Sequence, residues 1–237
     1  MFMVVDGIDG SGKGTIVACL KRSLAAKGLK VVDIGEATKS AGSLPGADYW
    51  ADADIVVTAE PTYAGAGAAL RSELLRDDTY DPLTVAHAFA VDREIHFRRV
   101  VIPALQAGKT VISERGISSS LAYQVMMGLP EETVRELPGN RLALENAPDY
   151  LVLAELDAET AVERLAARSG KRDDSYFERK PILEKLAGRY RDPDFIALFE
   201  SRGTEIVHLS TAGEIKDTEA RCEEGLVPLI LGGESGE

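Results

Sequence analysis

Residues 7–13, GIDGSGK, stand between an apolar run and a stretch with helical spacing, and they restrict this chain more than any other feature. Gly7, Gly12 and Lys13 have the spacing of a phosphate loop, and the strand–loop–helix context is the one such a loop requires. Glycines let backbone N–H groups turn inward and approach phosphate oxygens. The helix that follows adds unpaired N–H groups and the positive end of its dipole. Lys13 adds a mobile cation for the outer phosphates of a nucleoside triphosphate. The candidate phosphate ligands are therefore Gly10, Ser11, Gly12, Lys13, Gly14 and Thr15. One position is irregular. A hydroxyl residue usually follows the lysine and meets Mg²⁺, but here Gly14 intervenes before Thr15.

The rest of the chain fits around that loop. Short Val/Ile/Leu-rich runs at 3–5, 30–34, 55–58, 110–113, 150–155 and 205–209 read as strands buried on both faces. Helical patterns at 14–27, 67–76, 82–107, 119–127, 158–169, 181–191, 195–201 and 214–224 separate them. This alternation predicts an α/β fold, a parallel sheet with helices on both faces. Gly28 is the expected stop of the first helix, Asp157 the expected N-cap of the helix at 158, and Pro103 the expected kink in 82–107. Residues 35–54 are small, polar and glycine-rich, and read as an extended loop or inserted excursion. The expected organisation is one domain over 1–228, with 229–237 as a flexible tail.

Charge narrows the partners. The formal net charge is −12, which disfavours general binding to nucleic-acid phosphates. An anionic substrate then needs a local cluster of cations. No apolar stretch approaches the ~20 residues of a membrane span, and no signal peptide is expected. Cys19 and Cys222 read as reduced, buried thiols of a cytoplasmic protein.

Several stretches resemble the thymidylate kinase family: VVDGIDGSGKGT, VVTAEPTYAGAGAALRSELL, AHAFAVDREIHFRRVVIPALQAGKTVISERGISSSLAYQ and APDYLVLAELDAETAVERLAAR. They fall in the family's order over most of residues 1–195. The resemblance implies a phosphate-loop NTPase-type sheet with a short lid at 168–180, and transfer of the ATP γ-phosphoryl group to dTMP with Mg²⁺ present. It also implies a homodimer. By motif position, Asp9 lies near the acceptor sugar and metal. Phe89 stacks on the base and Arg93, four residues on, holds the acceptor phosphate. Arg115 matches the arginine of the family's D-R-Y, while Ser119, Tyr123 and Gln124 match S-x-x-x-Y-Q at the base pocket. Arg168 and Arg172 are the lid arginines assigned to the transferring phosphoryl group. The chemistry suits these residue types, because two polyanions must be brought together and the attacking phosphate oxygen is already anionic.

This chain departs from the family at several places. Ala59 replaces the arginine of R-E-P before Glu60, so Arg71 is the expected second grip on the acceptor phosphate. Glu114 replaces the aspartate before Arg115 and joins Asp9 and Thr15 as an expected metal-side group. Glu60-Pro61 and Glu114-Arg115 also resemble deoxynucleoside kinases, in which the glutamate deprotonates a sugar hydroxyl. A nucleotide-binding module without transfer is the third reading. Trp50 carries no functional expectation.

Overall fold

The computed structural model describes residues 1–75, 79–167 and 176–232. Six strands make one parallel sheet: β1 (Phe2–Asp6), β2 (Val31–Asp33), β3 (Ile55–Ala59), β4 (Thr110–Glu114), β5 (Tyr150–Glu155) and β6 (Glu205–Ser210). Their order across the sheet is β2-β3-β4-β1-β5-β6. This is the α/β architecture that the alternating pattern predicts, and every strand run lies within one residue of its expected bounds at either end. Val5 pairs with Glu114 on one side and Val152 on the other. The connection after β1 runs to the β2 side of the sheet and the connection after the adjacent β4 runs to the β5 side, which opens a crevice beyond the C-terminal ends of β1 and β4.

Strand residues alternate between two cores. Phe2 and Val4 face one core together with Val56, Val111, Leu151 and Leu153. Met3 and Val5 face the other with Ile55, Val57, Ile112 and Val152. Each face is covered by helices, which is why the strands read as continuous apolar runs. The Lys13–Ala26 helix buries Ile16, Val17, Leu20 and Leu24 on the second face. Its chain ends through Gly28 at φ 87°, as expected. Cys19 and Cys222 are both buried and unpaired there, between that helix and Ile215–Gly225. Asp157 accepts from the Thr160 N–H and caps Ala158–Ala166.

Four expectations change. Residues 35–54 are not an extended loop: Ile34–Ala41 is a helix and Ala47–Trp50 a short 3₁₀ turn. The helix starts because the Asp33 carboxylate accepts from Glu36 N–H, and Ile34 and Thr38 are buried. Trp50 is core, 3% exposed. The stretch 82–107 is helical, but Pro82–His96 and Ile102–Gln106 are joined by a π turn, Phe97–Val101. The widened turn accommodates Pro103, which has no N–H to donate and would crowd a regular turn. Helices at Glu131–Glu136 and Pro138–Glu145 fill a stretch that carries no helical expectation. Finally, Leu229 and Ile230 belong to the Val227–Ile230 helix and pack on the second core, so the expected tail starts too early. Residues 233–237 lie outside the described residues.

Candidate active site

The glycine loop follows the last residue of β1 and turns where β5 and the Ala158–Ala166 helix allow nothing larger. At Gly7, φ 139°, a Cβ would stand 2.7 Å from the Ala154 carbonyl oxygen. At Gly10, φ 80°, it would stand 2.6 Å from the Ala161 carbonyl. Both contacts exclude every side chain. Lys13 opens the helix and bends back over the loop, its Nζ donating to Gly7 O at 2.9 Å and Ile8 O at 2.7 Å. Burial and the neighbouring Arg115 guanidinium lower its pKa to about 8, against the pull of Asp9, Asp6 and Glu114. The Ser11 hydroxyl is buried with no partner among the described residues. Gly14 is exposed, and a Cβ there would lie 3.8 Å from a Glu114 carboxylate oxygen. The position that usually carries a hydroxyl thus faces Glu114.

Asp6, at the end of β1, is a hub that sequence reasoning missed. Its buried carboxylate accepts from Gly7 N at 2.8 Å, Ser118 Oγ at 2.5 Å, Ser119 Oγ at 2.8 Å and Tyr190 Oη at 3.0 Å. It ties the loop to the Ile117–Met126 helix and to the Lys180–Tyr190 helix. The only sequence signal was a carboxylate in an apolar strand that would otherwise be costly to bury.

Arg115 follows β4 at φ 69°, a conformation rare outside glycine. Its N–H donates to Val5 O at 2.9 Å and its carbonyl accepts from Ser113 Oγ at 2.7 Å, which over-determine the backbone. The side chain pairs with Asp9 and donates to Ser119 Oγ at 3.3 Å. Tyr123 Oη donates to the other Asp9 oxygen at 3.0 Å. Burial pushes the Asp9 carboxyl upward, but Arg115, Lys13 and the Tyr123 hydroxyl outweigh it and hold the pKa below the ordinary value.

Beyond Arg115 lies a cavity of about 230 Å³. Arg71, Phe89, Arg93, Tyr123, Gln124 and Phe177 are among its walls, and Asp9, Glu60, Arg115 and Ser119 reach it as well. Phe89 is therefore cavity wall and not core. Phe177 comes from the Tyr176–Glu178 turn and meets the Tyr123 ring at 5.4 Å; no pattern pointed to it. Arg71 donates to Pro61 O at 2.9 Å and lies over the Tyr63 ring, 4.0 Å from its centroid. Arg93, 1% exposed, is spread over four acceptors: Glu60 Oε2 at 2.8 Å, Ser120 Oγ at 3.0 Å, Gly116 O at 3.2 Å and Asn140 Oδ1. Burial raises the Glu60 pKa, but Arg93 and the His96 hydrogen bond override it and keep the carboxyl below its ordinary value. Asp92 accepts from Thr62 N at 2.7 Å and Thr62 Oγ1 at 2.6 Å, which secures the turn after Glu60.

On the other side of the loop, Arg164 donates to Thr211 O at 2.8 Å and Gly213 O at 3.0 Å. Its guanidinium comes within 3.7 Å of where a Gly12 Cβ would stand. Arg168 and Arg172 lie outside the described residues. Thr15 sits half-buried in the first helical turn. Among the described residues, no group of three or more His, Cys, Asp or Glu side chains could hold a metal by itself.

The glycine loop and the cation-lined cavity meet at Asp9 and Arg115. The sequence model of the thymidylate kinase family matches residues 48–221. The chain belongs to the thymidylate kinase family. The kinase is 31% identical to a probable thymidylate kinase of Pyrobaculum calidifontis, over 97% of this chain and 99% of that one. It is 31% identical to the thymidylate kinase of Cereibacter sphaeroides, over 97% and 95%. A probable thymidylate kinase of Pyrobaculum aerophilum is 29% identical over 91% and 96%. The family match covers every residue lining the cavity except Asp9; Asp9, the rest of the glycine loop and the helix at 34–41 lie ahead of residue 48.

Proposed function

We propose that this kinase transfers the γ-phosphoryl group of ATP to dTMP, yielding ADP and dTDP for dTTP synthesis. The observation that carries the reading is the junction of the two sites: a glycine loop with an inward lysine on one side of Asp9–Arg115, and a cavity with an aromatic wall and three arginines on the other. In the resting loop Lys13 is bonded to two carbonyls. A triphosphate seated on the loop amides offers it stronger, charged acceptors, and Lys13 shifts to them. Phe89 stacks on the base, and Gln124 faces its polar edge. Arg71 and Arg93 hold the acceptor phosphate, and Arg115 stands between donor and acceptor. The acceptor phosphate oxygen is the nucleophile, so orientation and charge stabilisation suffice.

Oxygen donors beside the loop suit Mg²⁺: the Thr15 hydroxyl, the Glu114 carboxylate facing Gly14 and the Asp9 carboxylate, engaged by Arg115 and Tyr123, would hold it. Bound Mg²⁺ would offset charge on the donor phosphates. The reading includes a homodimer in the cytoplasm; among the described residues no helix is long and apolar enough to cross a membrane.

Glu60 argues against a nucleoside kinase. Both its oxygens are engaged, by Arg93 and His96, and its carboxyl is held below the ordinary pKa, so it is a poor base for a sugar hydroxyl. A coupled ADP-release assay across thymidine, dTMP, dUMP and the other nucleoside monophosphates tests the proposal. Turnover with dTMP and not thymidine is expected. Turnover with thymidine would establish the nucleoside kinase, and none with any acceptor a binding module.

A further inference from the structure

His96 lies one turn beyond Arg93, fully buried, and has no part in the assignments above. Both ring nitrogens are engaged. Nε2 lies 2.8 Å from Thr58 Oγ1, and Nδ1 lies 3.1 Å from Glu60 Oε1. The ionised Glu60 carboxylate only accepts, so Nδ1 carries a proton, and in the neutral ring Nε2 accepts from the Thr58 hydroxyl. Thr58 and Glu60 are two apart at the end of β3 and on the same side of it. One imidazole therefore bridges both and fixes the chain where it leaves the sheet.

Two consequences meet in the acceptor cavity. The first concerns Arg93. With Oε1 held by His96, the Glu60 carboxylate plane is set, and Oε2 is presented to Arg93 Nε at 2.8 Å. The second concerns Arg71. The segment directly after Glu60 supplies Pro61 O at 2.9 Å and Thr62 O at 3.2 Å to Arg71 Nε. Asp92 holds the far end of that segment through Thr62, and His96 holds the near end through Glu60. The charged groups around the ring are Glu60, Arg93 and Asp92.

We infer that His96 is a positioning residue for the acceptor site: as the Nδ1–H tautomer it aims Arg93 through the Glu60 carboxylate and Arg71 through the Glu60–Thr62 turn. This rests on the acceptor assignment proposed above. Burial alone would make His96 a packing residue whose loss lowers stability without choosing between the two substrates. A positioning role predicts a selective effect.

The experiment measures KM for dTMP and for ATP separately in His96→Leu, His96→Asn and Thr58→Val, with thermal melts to confirm folding. His96→Leu is expected to raise KM for dTMP tenfold or more, with KM for ATP within threefold of wild type. His96→Asn restores an N–H near the Nδ1 position and is expected to stay within threefold on both. Thr58→Val, which frees the tautomer, is expected between them. Long-range ¹H–¹⁵N NMR on the three histidines is expected to show His96 protonated at Nδ1, and the Arg93 Nε–H slow to exchange in wild type and fast in His96→Leu or, should that variant not fold, in Thr58→Val. Equal rises in both KM values, an unchanged dTMP KM in folded variants, or an Nε2–H tautomer would overturn the inference. A wild type inactive on dTMP would refute the acceptor assignment instead; the tautomer and the Arg93 exchange rate, read without substrate, still decide what His96 does.

Discussion

Lys13→Met separates what this lysine does for ligand from what it costs the fold. In the folded protein its pKa falls from 10.5 to about 8. A free lysine in the unfolded chain keeps the higher value, so between these two pH values the unfolded state binds more protons and stability rises with pH. Below pH 8 the deficit is complete. At pH 7 it amounts to about 3 kcal/mol, and at pH 10 to roughly 1 kcal/mol. Methionine keeps the apolar stem without the charge, but leaves the Gly7 and Ile8 carbonyls without their Nζ donor. Those losses are independent of pH, at about 1 kcal/mol each. Lys13→Met is therefore expected to be more stable than wild type by about 1 kcal/mol at pH 7, and less stable by about 1 kcal/mol at pH 10. Urea denaturation of both proteins at the two pH values reads the difference. Phosphoryl transfer by the variant should fall at least a hundredfold, the order seen when one charge-stabilising donor is removed. A stability difference that stays flat with pH would show that Lys13 is not desolvated in the resting loop, and near-native turnover would remove it from the ATP site.

Gly67→Ala places a Cβ 2.5 Å from Thr62 O and 2.6 Å from Asp92 Oδ1, so it should cost about 1–3 kcal/mol in a thermal melt and raise KM for the acceptor, because the displaced turn supplies the Pro61 and Thr62 carbonyls that hold Arg71. Glu60 has its carboxyl pKa held below the ordinary 4.5, so its stabilising contribution is complete above that value and is lost as the pH falls below it. Glu60→Gln should flatten the acid limb of the stability curve below pH 4.5 and destabilise the protein at pH 7; an unchanged acid limb would mean that the Arg93 pair is not what holds this carboxyl ionised.

Sequence reading reached the strands because each is a run of apolar residues buried on both faces, and no other local structure suits such runs. It reached the glycine loop because its spacing is local, and the cavity arginines through the motif positions of the family resemblance. Failures came where the decisive contact is distant. Ile34–Ala41 has a composition that reads as loop, and it becomes a helix through the Asp33 cap and the burial of Ile34 and Thr38. Arg93 finds Glu60 thirty-three positions away and Asn140 forty-seven away, so its enclosure has no local trace. Asp6 and Tyr190 are separated by 184 positions. Val91 and Ile95 look like inward residues of an amphipathic helix, yet they are exposed, while Asp92, Arg93 and His96 of the same helix are buried. Polar partners supplied by other elements invert the usual pattern there.

At one margin of the sheet, β2 contributes three residues before its last, Asp33, starts a helix. Asp33 also takes the Lys21 ammonium at 2.5 Å. A strand from another molecule would find only about 10 Å of open ladder there. It would then meet a charged pair and a change of direction. This edge of the sheet is closed to added strands by the same carboxylate that turns the chain, with no residue set aside for the purpose.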